Sequence, residues 1–303
     1  MNLQTIVGAL HLGPPVGAAN LTMFPLLARE ESPAGYATLD EALAAGTVRV
    51  TEVSETGCVP ELTIVNDGAI PVLVLDGEEL VGAKQNRIVN LTILVPAHSR
   101  LPLPVSCVEA GRWQHRSRAF AAAGRTHYAH ARAMKVAHVS ASMRESGNRV
   151  ADQSAIWQDI AAKSRRMAAP SPTSAAAAMY EKSRGELDAF QSKLHAQPLQ
   201  VGAIFAIHNS IVGMELFDAA STWRKSMRKV VESYGLDALD PKDEPNAPVH
   251  DDPQQFLEAI GKVGVEKFPA LGMGEDLRLR APRVSGAALA LEGRVLHLLA
   301  FAA

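Results

Sequence analysis

The side chains best suited to chemistry are concentrated between Val72 and Arg118. A polar block from Asp76 to Arg87 carries Glu78, Glu79, Lys84, Gln85, Asn86 and Arg87, and Glu109, Arg112, Trp113 and Arg116 follow further along. Two carboxylates sharing a site with a lysine or arginine would supply acid/base capacity with a cationic orienter. Arginine forks match phosphate oxygens, and an indole stacks on a base or a sugar. Glu79, Glu109 and Lys84 are therefore the candidate catalytic groups. Glu78, Gln85, Asn86, Arg87, Arg112, Trp113 and Arg116 are the candidate ligand contacts. Adjacent Glu78 and Glu79 point to opposite sides of a strand, so only one of them can share a site with Glu109.

Two strands must position these groups. Ile88 to Val95 alternates with period two, and Val89, Leu91, Ile93 and Val95 make one apolar face. Leu101, Leu103, Val105 and Cys107 do the same in the next run, and Pro96-Ala97-His98-Ser99 between them reads as a turn. This predicts an antiparallel hairpin in which both apolar faces point at the core. One register sets Val95 opposite Leu101 and continues to Arg87 opposite Glu109; one allowed slip sets Gln85 opposite Glu109. In either register, charged side chains extend the core-facing row. They either line a pocket at the end of the sheet or close the hairpin as a salt bridge. Pro102 and Pro104 cannot donate to a ladder, so one side of their strand should be uncovered. Trp113 is either a stacking platform or a plug on the sheet end. Cys107 has core parity and reads as an inert buried thiol.

The wider chain suits an α+β fold with a β-rich, sandwich- or barrel-like core and several helices inserted in its C-terminal half. Leu21–Leu27 (an edge, given Pro25), Val48–Val53, Glu61–Val65 and Ile70–Leu75 read as strands, with a tight turn at Asp76-Gly77. Asp152 is a predicted N-cap for a helix reaching about Met167, and Thr173 or Ser174 for an Ala-rich second helix. Val201–Ile207 and Ile211–Phe217 form a second predicted hairpin around an exposed His208. Asp218 is expected to cap a basic helix that Gly235 ends, and Asp252-Pro253 opens a short one. The proline-bearing stretch 240–250 reads as a linker, and two strands, Ala287–Leu291 and Val295–Phe301, close the chain. The expected division is a β-rich part over 1–118, a helical segment over 119–200 and an α+β part over 201–303 packing on the first, together one integrated domain.

At 303 residues, net charge −2, 47% hydrophobic and 20% charged, the chain has an ordinary globular composition. No cationic leader and no apolar run of membrane length is present, so the expectation is a cytoplasmic protein without a membrane partner. Ala110 to Arg144 holds no acid but seven basic side chains, whereas Asp237 to Glu275 is acid-rich. The basic run either holds phosphates, forms a solvated face or docks on the acidic segment. Walker, dinucleotide, nucleophile-elbow, HExxH and CxxC patterns are all missing. His127 and His130 have no nearby carboxylate and read as a surface pair, and no metal site is expected.

The strings CVPELTIVN (58–66), VLDGEELVGAKQNRIVN (74–90), LPVSCVEAGRW (103–113) and VGAIFAIHNSIVGMELFD (201–218) resemble a prokaryotic family named for its association with ADP-ribosylglycohydrolases and rhodanese-phosphatases. The resemblance runs along nearly the whole chain. It implies a contextual link to ADP-ribose or NAD-derived metabolism and assigns no catalytic residue and no cofactor. Two readings follow. One is a pocket, built from the 76–87 block, Glu109 and Trp113, that binds and processes a nucleotide or ADP-ribose-derived, phosphate-bearing ligand. The other is a non-catalytic scaffold or homo-oligomer using the same charged segments as subunit contacts. Nucleic acid is disfavoured by the near-neutral total charge.

Overall fold

A computed structural model describes residues 3–54, 57–114, 116–241, 252–282 and 284–302, so most of the 240–250 stretch lies outside the described residues. The fold is α+β, and the chain divides into two compact units. One comprises Gly35–Arg184 with Leu271–Met273; the other comprises Met1–Ala34, Gly185–Ala270 and Gly274–Ala303.

The first unit is built on a closed six-stranded barrel. Around it, neighbour to neighbour, run Ser99–Cys107, Glu61–Asn66, Val48–Glu52, Phe120–Thr126, Glu78–Gly82 and Arg87–Val89. Closure removes sheet edges and turns every second side chain inward. Val48, Val50, Leu62, Ile64, Leu80, Val89, Leu103, Val105 and Phe120 accordingly share one buried core. Beside the barrel a small sheet joins Ile93–Val95 to Val72–Val74, which pairs in parallel with Ala37–Thr38. The predicted tight turn is present, with Gly77 at φ 78°. A Cβ there would stand 2.8 Å from the Arg132 side chain, so the position needs glycine on two counts.

The expected long hairpin is corrected. Only Arg87–Val89 pairs with the end of Ser99–Cys107, setting Val89 opposite Val105 and Arg87 opposite Cys107. The chain then leaves the ladder at Asn90, whose amide donates to Pro104 O and whose side chain bonds Ser106 and Arg149 O. Ile93–Val95 turns away to pair with Val72–Val74, while Ser99–Pro104 pairs with Glu61–Asn66. All four predicted apolar residues of the first run still enter the same core. Alternation fixes the buried face but not the partner. The prolines behave as expected. Val105 N donates to Pro60 O on the Glu61–Asn66 side, so the even-numbered positions 102 and 104 face the other way, where no donor is asked of them.

Helices Leu39–Ala44, Ala129–Ser146, Gln153–Arg166 and Ala177–Lys182 complete this unit. Asp152 caps the third as predicted. Thr173 and Ser174 do not cap the fourth, which starts after Ala176 and ends at Ser183. Helix Ala129–Ser146 lies within the expected helical segment, whereas the strand Phe120–Thr126 departs from it, because an Ala-, Gly- and Arg-rich sequence shows neither period clearly.

The second unit is an antiparallel sheet in the order His11–Leu12, Leu21–Leu27, Gln200–Ile207, Ser210–Phe217, Arg294–Ala302, Val284–Leu291, Glu275–Ala281 and Gly264–Pro269, with Val16–Ala18 also on Leu21–Leu27. Both predicted hairpins are present, and His208 is exposed at its turn. Leu21–Leu27 is not an edge. Its outer partners cover 21–23 and 26–27 and leave a gap at Pro25. Helix Ala220–Ala238 runs through Gly235, which lies against Phe190 and Leu187, and Asp218 pairs with Arg294 rather than capping. Helix Pro253–Gly261 is capped by Asp252 as predicted. Among the described residues no helix is long and apolar enough to cross a membrane.

Candidate functional site

The ladder between Arg87–Val89 and Ser99–Cys107 continues beyond the strand ends in its slipped register. Val108 N donates to Asn86 O, Gln85 Nε2 to Glu109 O, and Asn86 N to Glu109 Oε2 at 3.1 Å. The segment before the fourth helix docks alongside: Gly111 N donates to Thr173 O and Ala176 N to Val108 O. A Cβ on Gly111 would approach the Thr173 backbone to 3.0 Å, so the close apposition depends on that glycine. Thr173, freed from capping, donates its hydroxyl to Glu109 Oε1 at 2.8 Å.

Glu109 is 1% exposed and serves as a hub. Arg112 donates Nε to its Oε2 at 2.8 Å, and Arg116 Nη2 stands 4.0 Å from Oε1. Burial pushes the Glu109 carboxyl up, but the bonds from Arg112, Thr173 and the Asn86 amide outweigh it and hold the group below the usual carboxylate range. Glu109 is therefore an anchored anion rather than a proton donor at neutral pH. Arg112 is equally committed, with further donations to Ala83 O, Gln114 O and Asn86 Oδ1.

Arg87 differs. It is 0% exposed and does not pair with Glu109. Nη1 donates to Gln85 Oε1 at 2.6 Å, whereas Nε and Nη2 find no nitrogen or oxygen acceptor among the described residues. Burial pulls the guanidinium below its usual value, and the neighbouring Cys107 thiol is a weak acceptor. Trp113, 45% exposed, stands beside this group, its ring centre 5.7 Å from Arg87 Cζ and 5.2 Å from Lys84 Nζ. Glu52 Oε1 accepts from the Lys84 amide. Among the described residues, four cationic side chains, Lys84, Arg87, Arg112 and Arg116, thus meet two carboxylates, Glu52 and Glu109. A cavity of about 320 Å³ opens here, lined by Gly111, Arg112, Trp113, Gln114, Arg116 and Thr173.

The two neighbouring glutamates divide as their strand requires. Glu79 shares Asn86 with Glu109: Asn86 Nδ2 reaches Glu79 Oε1 at 3.4 Å. Arg125 clamps the same carboxylate with Nε and Nη2, at 2.6 and 3.1 Å, while stacking over Tyr180. The Glu79 charge raises the Arg125 pKa against the opposing effect of burial. Glu78 turns the other way and accepts the Leu75 amide at 2.8 Å. Asp76 holds both Arg132 and Lys135. His127 is fully buried, not a surface histidine, and burial together with the nearby Lys135 and Arg132 charges drives its pKa well below the ordinary value. His130 stands 3.8 Å from Asp159, a carboxylate remote in sequence. Among the described residues no three His, Cys, Asp or Glu side chains converge as metal ligands.

Of the residues nominated from sequence, Lys84, Gln85, Asn86, Arg87, Glu109, Arg112, Trp113 and Arg116 gather at one end of the barrel. Glu79 joins them through Asn86, and Glu78 stands apart. Thr173, Gln114, Gly111 and Arg125 were missed. Arg125, Arg132 and Lys135 were visible only as members of the acid-free run 110–144, and their acids prove to be Glu79 and Asp76 of the polar block.

No curated protein and no solved structure matches the chain. A family model does, over residues 9–301, and it spans every residue of the site just described. The chain belongs to the ARG and Rhodanese-Phosphatase-superfamily-associated Protein domain family.

Proposed function

We propose that the cavity beside Trp113 binds a phosphate-bearing ligand of the nucleotide or ADP-ribose/NAD-derived class. The observation that carries this reading is the surplus of cationic over acidic side chains among the described residues of the site, beside a half-exposed indole. Such a surplus in a partly desolvated cleft attracts an anion, and the indole offers a face to a base or ribose. Arg116, 64% exposed at its side chain, is the fork able to reach phosphate oxygens, and Arg112 is a fixed positive wall behind it. Gln114 and Thr173 add polar contacts on the cavity lining. Gln85 and Asn86 orient the charged groups. The family's name, which couples it to ADP-ribosylglycohydrolase and rhodanese-phosphatase proteins, supports the choice of ligand class.

If chemistry follows binding, Glu109 is the group best suited to act, as an ionised base or as the anchor that fixes Arg112. Glu79, clamped by Arg125, and Lys84, packed beside Trp113, orient the surrounding charge. The test is a thermal-shift series with ADP-ribose, NAD, adenosine and inorganic phosphate. A ligand at a hundred times its Kd stabilises by about 2.7 kcal/mol. Stabilisation by the phosphate-bearing compounds, weak or absent with adenosine and lost in Trp113→Ala with Arg116→Ala, is the expected result. A flat response across all four refutes the reading.

A further inference from the structure

We infer that the site takes a ligand carrying two adjacent anionic groups, a diphosphate rather than a monophosphate, and that Trp113 moves aside to admit the second group to Arg87. The inference rests on the phosphate-binding reading above and adds a second anion position to it. Among the described residues, the cavity lining supplies one cationic contact exposed enough to turn toward an anion, Arg116, because Arg112 donates through Nε, Nη1 and Nη2 to protein acceptors. A second cation, Arg87, is wholly buried and, among the described residues, keeps two nitrogens without an oxygen or nitrogen acceptor. Cys107 and the Glu52 carboxylate attract this guanidinium, yet among the described residues no carboxylate hydrogen-bonds to it, so its donor plane has room for an anion. Trp113 is near both. The Trp113 indole lines the cavity and also lies 5.7 Å from Arg87 Cζ, on a loop residue that is nearly half exposed. Its cation–π contacts with Arg87 and Lys84 keep it in place while no ligand is bound. An anion contacting Arg87 replaces those contacts with charge-assisted hydrogen bonds, which are stronger, and the displaced indole becomes available to stack on the remainder of the ligand.

The two anion positions are tested by isothermal titration with orthophosphate and pyrophosphate, in wild type, Arg87→Met and Arg87→Lys. Wild type should bind pyrophosphate about tenfold to a hundredfold tighter than orthophosphate, the worth of one or two charge-assisted hydrogen bonds. Arg87→Met should bring that ratio close to one, by weakening pyrophosphate binding more than orthophosphate binding, and Arg87→Lys should restore part of it. Acrylamide quenching of Trp113 emission, isolated by subtracting the Trp113→Phe variant, should rise on adding pyrophosphate but not orthophosphate. Equal affinity for the two anions in wild type, or a preference untouched in Arg87→Met, overturns the inference while leaving the cavity a phosphate site. Absence of binding by either anion overturns the phosphate-binding reading along with it.

Discussion

Replacing Arg87 by methionine should make the ligand-free protein more stable. The guanidinium is 0% exposed, and its hydrogen bond from Nη1 to Gln85 Oε1 leaves Nε and Nη2 without a nitrogen or oxygen acceptor among the described residues. Keeping an ion in such a place costs several kcal/mol after relaxation. Against this, the variant loses the Gln85 bond, worth about 1.5–3 kcal/mol for a charged donor. It also loses the contact with Trp113, worth about 0.5–2 kcal/mol. Methionine restores most of the aliphatic volume beside Cys107 and leaves no cavity to collapse. The balance favours the variant by about 1–3 kcal/mol, which raises Tm by roughly 2–4 °C per kcal/mol in a unit of this size. Urea unfolding followed by far-UV circular dichroism, with the slope checked for constancy, measures the same quantity independently. A fall of about 2 kcal/mol or more would refute the reasoning, since it would make Arg87 a structural tie of the barrel end. An ordinary structural arginine and a ligand-waiting one thus predict opposite signs. The accompanying loss of pyrophosphate preference must appear in the same variant.

Glu109→Gln should destabilise by about 3–5 kcal/mol, because it leaves Arg112 buried without its counter-charge; a midpoint shift in urea reads this, and a change under 1 kcal/mol would contradict the hub assignment. Gly111→Ala should cost about 1–3 kcal/mol and weaken orthophosphate binding together, as its Cβ presses the Thr173 backbone away from Glu109. Acid should destabilise in two stages. His127, with its folded pKa lowered, contributes stability that is full above about 6.5 and drains as pH falls, and Glu109, also lowered, adds a loss that begins below about 4.3. His127→Phe should remove the first stage from a plot of urea midpoint against pH and keep the second. Burial raises the Cys107 thiol, so stability should decline as pH climbs past about 8.5, and a thiol reagent should titrate Cys58 alone until the protein unfolds.

How far the sequence led depends on what kind of information each feature needed. The buried face of Val89, Leu91, Ile93, Val95, Leu103 and Val105 was legible because period-two alternation is a local property of the chain. Their partners were not, because pairing is decided by where the chain can turn. Asn90 takes it out of one ladder, and Val72–Val74 receives it in another. The basic run from Ala110 to Arg144 shows the same limit for charge. Sequence exposed an unbalanced block, but Arg132 and Lys135 are buried against Asp76 and half-buried Arg125 clamps Glu79, all inside the same unit, and none of those pairs is close in sequence. Thr173 looked like a helix cap because its local context suits one, yet a buried carboxylate competes better for its hydroxyl.

The register slip decides the site. With Arg87 opposite Glu109 the two charges would have cancelled at the hairpin end, a closed structural pair with nothing left to bind. One step along, Glu109 receives Asn86, Arg112 and Thr173, and Arg87 is carried to the Cys107 level with donors to spare. The same residues therefore give a neutral seam or a positively charged cleft according to a displacement of two residues in one strand pair. Any substitution that drives the pair back, such as one that seals Asn90 into the ladder, should abolish phosphate binding without touching a cavity-lining side chain.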